Sequence, residues 1–270
     1  LIDWDSAYTW FICGIFSDGS TPFCSEIYNF DISPLPDYFP DEINVSNYNE
    51  SLSQEGITVM DFESLSFSGG LDRDGNPIWF VDKDGFEHRF VFTQFLKNGN
   101  MTGFGPGKGY EIDLNGNIIF ETPDGNSVHH DFNKTSNNTY FFISATIEDQ
   151  YCPDECNETL PDEIPWQGDI FREIDQEGNE VWNWNTFDYY DLNDYNPYYV
   201  EIYNGWLEMD WTHSNSVFFD ENSGSVFVSV RNLSRITKID YDTKNIIWNM
   251  GETDFMNDIY FEEDLNFSQQ

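Results

Sequence analysis

One form recurs four times along the chain: a short apolar strand, an acidic turn closed by Gly or Asn, then a second strand carrying Trp or Phe. It reads LDRDGNPIWF at 71–80, EIDLNGNIIF at 111–120, EIDQEGNEVW at 173–182 and KIDYDTKNIIW at 238–248. Gly and Asn tolerate the positive φ that tight turns demand, so each copy predicts a β-hairpin. No long segment places apolar residues at helical spacing, and short strand-like runs fill the rest, which predicts an all-β chain. The 25 Phe, 15 Tyr and 9 Trp suit such a core, because large flat side chains favour strands.

A longer repeat contains the last two hairpins. One unit runs His130-Asp131-Phe132, YFFISAT (140–146), DIFREID (169–175) and NEVWNWN (179–185); the next runs from His213 through Phe218, then SVFVSV (225–230), RITKID (235–240) and NIIWNMG (245–251). Four antiparallel strands per unit, repeated, predict blades of a β-propeller, with the two earlier hairpins in one or two further blades. Residues 1–55 match no blade and read as an N-terminal extension or cap; 56–270 read as the propeller. Segments 147–168 and 187–209, rich in Asp, Asn, Pro and Tyr, read as long loops on one rim.

Three of the four histidines, His129, His130 and His213, begin or adjoin the innermost strand of a blade, and such strands line the central channel. They are therefore expected at one mouth. Arg231, directly after SVFVSV, offers a fork of donors suited to an oxyanion; its plainer reading is a cation paired with one of fifty acids.

Eleven cations against fifty acids leave a net charge of −39, which argues against nucleic acid as a partner. No apolar run is long enough to span a bilayer. Cys13 and Cys24, and Cys152 and Cys156, form two local pairs that favour disulfides over zinc, since no histidine lies close in sequence to complete a site; free buried thiols are the remaining reading. Asn44, Asn49, Asn100, Asn133, Asn137, Asn157, Asn232 and Asn266 each precede x-Ser or x-Thr. With the cysteines, these sequons predict a secreted, periplasmic or cell-surface protein. Ca²⁺ is weighed at Asp72-Arg73-Asp74-Gly75 and Asp82-Lys83-Asp84-Gly85, but neither carries the downstream Glu of an EF-hand loop, so a hairpin turn is preferred. No other metal or cofactor is implied.

His130-Asp131-Phe132, the stretch DWTHSNSV (210–217) and Ser229-Val230-Arg231-Asn232-Leu233-Ser234, followed by Ile236, Lys238 to Asp240 and Ile247-Trp248, resemble the arylsulfotransferase family over about residues 55–270. The resemblance implies an exported six-bladed β-propeller, of which this chain would form about four blades. It also implies sulfuryl transfer from a phenolic sulfate to a phenol through a sulfated histidine, without a nucleotide donor. By motif, His130 and His213 would bind the sulfuryl group or move a proton, Arg231 would clamp its oxygens, and His129 and Asn215 would line the substrate. The family's nucleophile lies in a Phe-x-x-Gln-His motif; here Phe267-Ser268-Gln269-Gln270 brings the sequence only to the glutamine, so the nucleophile is expected beyond Gln270. A different reading is a non-catalytic glycosylated surface, adhesion or filament subunit that self-assembles through open strand edges. A third is a glycan- or anion-binding propeller using Tyr189-Tyr190 and Tyr198-Tyr199 on the rim, where ordinary packing is the plainer role. In an enzyme, Asn232 is expected to carry no glycan.

Overall fold

The computed structural model describes residues 3–14, 17, 23–40, 43–46, 49, 51–52, 54–62, 65–151, 162–196, 200–203 and 206–251. It divides into two compact units, Leu1–Gly56 with Asp72–Asn76, and Ile57–Leu71 with Pro77–Gln270.

In the first unit β1 (Ser6–Trp10) and β2 (Cys13–Gly14) return as β3 (Phe23–Cys24) and β4 (Tyr28–Ile32). The pairs β1–β4 and β2–β3 are antiparallel, and a Cys13–Cys24 disulfide closes the inner one. Tyr8 stacks on Phe30 and Trp10 on Tyr28 across the ribbon. Cys152, Cys156 and Asn157 lie outside the described residues. In the 72–76 turn Gly75 has φ +85°, and a β-carbon there would sit 2.7 Å from the Ile43 carbonyl oxygen, so only glycine fits.

The second unit is a propeller of four blades. The first is β5 (Thr58–Phe62), β6 (Phe67–Leu71) and β7 (Pro77–Phe80); the second is β8 (Val91–Phe95), β9 (Met101–Gly105), β10 (Lys108–Ile112) and β11 (Ile118–Glu121). The third is β12 (Val128–Lys134), β13 (Tyr140–Tyr151), β14 (Glu163–Ile174) and β15 (Glu180–Asn185). A short helix α1 (Thr186–Tyr189) and the hairpin of β16 (Val200–Tyr203) and β17 (Trp206–Asp210) precede the fourth blade, β18 (Ser214–Asp220), β19 (Ser225–Val230), β20 (Arg235–Asp240) and β21 (Ile246–Gly251).

Every copy of the recurrent form is the outermost hairpin of a blade, β6–β7, β10–β11, β14–β15 or β20–β21, and each hairpin has a register shift at the same place, beside Leu71, Ile112, Ile174 or Ile239. The turn chemistry explains the repetition. Asp72, Asp113 and Asp175 each accept two backbone amides, from residues two and four ahead, on one oxygen and the carboxamide of Asn76, Asn117 or Asn179 on the other. These bonds, led by the Asn side chain, hold the three carboxyls below the usual range. The recurrent acid of the turn is thus its own cap, and both Asp72 oxygens are engaged by the turn itself. Asp82 likewise accepts from the Asp84 amide to start a short 3-10 turn.

The aromatic residue of the form has a matching role. Trp79 donates its indole N–H to the Leu114 carbonyl, and Trp182 donates to that of Tyr241. In both cases the acceptor follows the turn Asp of the next blade, so each outer strand is pegged to its neighbour. In two copies a Glu stands two residues before the turn Asp: Glu111 accepts from Tyr140 Oη at 2.6 Å and Glu173 from Tyr241 Oη at 2.5 Å, again from the following blade. Between these polar links the blades bury apolar faces against each other. Phe104, Phe132, Tyr140 and Phe142 pack between the second and third blades, and Phe141, Phe171, Trp182, Val226 and Ile239 between the third and fourth.

Two expected loops are corrected. Residues 147–151 continue β13 and 163–168 begin β14, and these strands pair without interruption from Tyr140↔Ile174 to Tyr151↔Glu163. Of 187–209, part is α1 and part the β16–β17 hairpin, whose β17 runs parallel to β14 through Trp166↔Met209 and Gln167↔Asp210. Acidic residues and Pro165 disguised the ladder, although Ile164 and Trp166 are buried in it.

Candidate functional site

The innermost strands of the third and fourth blades, β12 and β18, are tied together through the backbone of Val217. Asp131 accepts its amide at 2.9 Å, and Asn133, which also donates to Asp131 at 2.7 Å, reaches its carbonyl at 3.4 Å. Both strands are irregular near their start, with register shifts between His129 and Phe132 and between Ser214 and Ser216. There His130 (φ +57°) and His213 (φ +46°) occupy the left-handed region, costly for a residue with a β-carbon. These turns aim the rings at one another. The centroids of His129 and His130 are 5.2 Å apart, and those of His130 and His213 are also 5.2 Å apart.

His213 is held from three sides. Its Nδ1 lies 2.6 Å from Asp210 Oδ2, which leaves Nε2 as the nitrogen free for another partner. The carbonyls of Thr212 and His213 accept the amides of Asn232 and Arg231, so the Arg231–Ser234 turn closes directly on the histidine. The residues on either side of it, Thr212 through Oγ1 and Ser214 through its amide, both donate to Asp169 Oδ2 at 2.7 Å. The other Asp169 oxygen is 3.0 Å from His129 Nε2, within ion-pair range though off line for a hydrogen bond.

Electrostatics separate these groups. Burial alone would raise the Asp169 carboxyl, but the contacts from His129, Thr212 and Ser214 outweigh it and hold it below the usual range. Asp131 goes the other way: burial pushes it up to about 6 against the pull of the Val217 amide and the Asn133 side chain. His130 is exposed, yet the protein packed around the rest of it, then the neighbouring His129 and His213, push it down to about 4. Arg89, at the entry to β8, adds to that depression while Asp169 opposes it. At neutral pH His130 is therefore an uncharged imidazole, able to act as nucleophile or proton acceptor.

The three histidines expected at one mouth are together. Arg231 joins them through its backbone, with its guanidinium 3.5 Å from Asn232 Oδ1, and Asn215 sits half-buried in the bulge of β18. The fourth histidine, His88, is exposed just after the 3-10 turn, with Nδ1 2.9 Å from Asp84. Among the described residues no three His, Cys, Asp or Glu side chains converge to hold a metal ion, and no helix is long and apolar enough to cross a membrane.

Asn232 is buried and its carboxamide donates to the Asp210 carbonyl, leaving no room for a glycan in this fold. Asn100 and Asn133 spend their side-chain amides on Glu111 and Asp131, whereas Asn44, Asn49 and Asn137 are exposed. Tyr190 is core rather than rim: it is buried, hydrogen-bonded to Thr237 and covered by the Arg235 guanidinium. Tyr189 stacks on Trp184, and Tyr198-Tyr199 lie outside the described residues, as do Asn266 and the 267–270 segment.

Asp169 and Asp210 were missed as members of the site. The signal for Asp169 was available, because it shares the core-facing alternation of Phe171 and Glu173 in β14, where an acid needs a specific partner.

The family model for arylsulfotransferase (ASST) matches residues 31–268. The chain belongs to the arylsulfotransferase family. No curated protein matches the sequence. Among solved structures, a crystal structure of a protein of unknown function from Bacteroides caccae is similar at 12% identity and a TM-score of 0.39, with 83% of this chain covered. The chain spans 64% of the length of that structure.

Proposed function

We propose that this arylsulfotransferase-family chain binds the sulfuryl group of a phenolic sulfate at the His129–His130–His213 cluster and takes part in its transfer to a phenol. The observation that carries the reading is the convergence of three imidazoles from two blades within 5.2 Å ring spacings, closed on by the Arg231 turn. His213, oriented by Asp210, presents Nε2; Arg231 supplies planar donors for sulfuryl oxygens; neutral His130 accepts or relays a proton. Developing negative charge on a transferring sulfuryl group is then met by donors fixed in advance. The segment 267–270, which the family resemblance aligns with the start of the Phe-x-x-Gln-His motif, lies outside the described residues. Export to an oxidising compartment is part of the proposal, and the Cys13–Cys24 disulfide supports it.

The test is titration with p-nitrophenyl sulfate, followed by heat of binding, for the wild type and for His213→Ala and Arg231→Ala. Saturable binding weakened at least tenfold by either substitution is expected. Equal binding by all three proteins would remove the site from the reaction.

A further inference from the structure

Each histidine of the cluster comes with different support, and one side chain reaches most of it. Asp169 is 1% exposed, and its oxygens divide between two tasks: Oδ1 faces His129 Nε2, while Oδ2 accepts from Thr212 Oγ1 and the Ser214 amide. Its own amide is held by Thr186 Oγ1 at 3.0 Å, which anchors β14 at this point to the start of α1. The residues flanking His213, one by its hydroxyl and one by its amide, are thus fastened to the same carboxylate that His129 faces, with His213 between them in a left-handed conformation.

We infer that Asp169 is the positioning residue of the site: one buried carboxylate that faces the His129 ring at ion-pair distance and holds His213 by the residues on either side, and so sets the spacing of both about His130. This rests on the sulfuryl-binding reading for its purpose but not for its geometry. Asp210 orients only the ring of His213, whereas Asp169 acts on two histidines from two blades. A carboxylate suits both tasks, since it accepts on both oxygens at once. With Oδ1 only 3.0 Å from Nε2, a carboxylate at this position favours the proton of His129 on Nε2 rather than Nδ1.

Asparagine separates the two tasks. In Asp169→Asn the amide oxygen still accepts from Thr212 and Ser214, but the amide group now donates toward His129 and moves its proton to Nδ1. Long-range ¹H–¹⁵N spectra of the imidazoles at pH 7 are expected to show the His129 tautomer reversed and His213 unmoved. Asp169→Ala is expected to shift both. Thr212→Val, which removes one bond to Oδ2 without touching the His129 contact, is expected to shift His213 alone and serves if the alanine variant does not fold. Affinity for inorganic sulfate should fall about 10- to 100-fold in Asp169→Ala, the range found when groups supporting a site's direct contacts are removed. A folded Asp169→Asn protein with an unchanged His129 tautomer would overturn the inference, as would Thr212→Val leaving His213 unmoved. If the wild type binds no sulfate while the imidazole spectra change as described, the positioning role stands and the sulfuryl-binding reading falls.

Discussion

Replacing Asp131 with Asn should remove a pH-dependent component of stability that the blade junction carries between about pH 4 and 6. The carboxyl accepts the Val217 amide and the Asn133 carboxamide and joins the innermost strands of two blades, yet burial dominates and raises it from 3.8 to about 6. The folded state therefore binds the proton more tightly than the unfolded chain. Its contribution is fully present below the unfolded value and is lost as pH rises through about 6, amounting to about 3 kcal/mol across the window. Asparagine is neutral throughout and keeps an acceptor for the Val217 amide. The stability of Asp131→Asn relative to wild type should thus rise by about 2.4 kcal/mol between pH 4 and pH 7, the rest of the span lying below pH 4. Carboxyls shifted the opposite way, such as Asp169, are common to both proteins and cancel in the difference. Urea unfolding at pH 4, 5, 6 and 7, followed by the fluorescence of the nine tryptophans, measures it. A difference that stays constant with pH, or that grows in favour of the wild type, would refute burial as the dominant influence on Asp131.

Three further outcomes follow from local geometry. His130→Gly should be more stable than His130→Ala by about 1 kcal/mol in the same denaturation assay, the reverse of the usual order in a strand, because φ +57° penalises any β-carbon; the usual order would mean that the strain is absent. Gly109→Ala would set a methyl 2.1 Å from the buried Phe132 ring and should cost about 1–3 kcal/mol, read as a lower thermal midpoint; an unchanged midpoint would show that Phe132 can yield. Reducing the Cys13–Cys24 disulfide should speed amide exchange in Ser6–Trp10 and Tyr28–Ile32 about tenfold or more, since a two-stranded ribbon is marginal without such a closure; unchanged exchange would assign its stability to the aromatic stacks.

The strands of the fourth blade could be read directly, because alternation in SVFVSV and RITKID and the Asp-led turns are local properties. So could the grouping of His129, His130 and His213, since repeat position places them at equivalent starts of neighbouring strands. The β13–β14 extension could not: Glu148, Asp149 and Pro165 resemble loop residues until a paired strand satisfies their backbone. Ordinary packing was the plainer reading of Tyr190, and its contacts with Arg235 and Thr237 place it in the core.

The sequence by itself determined the repeating unit, its turns and the pairing of histidines with inner strands, because each depends on backbone preferences and side-chain periodicity within about 40 residues. Only the tertiary structure decided what surrounds those histidines. Asp169 lies 40 residues from His129 and 44 from His213 in the chain, and its effect on both arises from burial and angstrom-scale distances that no local pattern encodes.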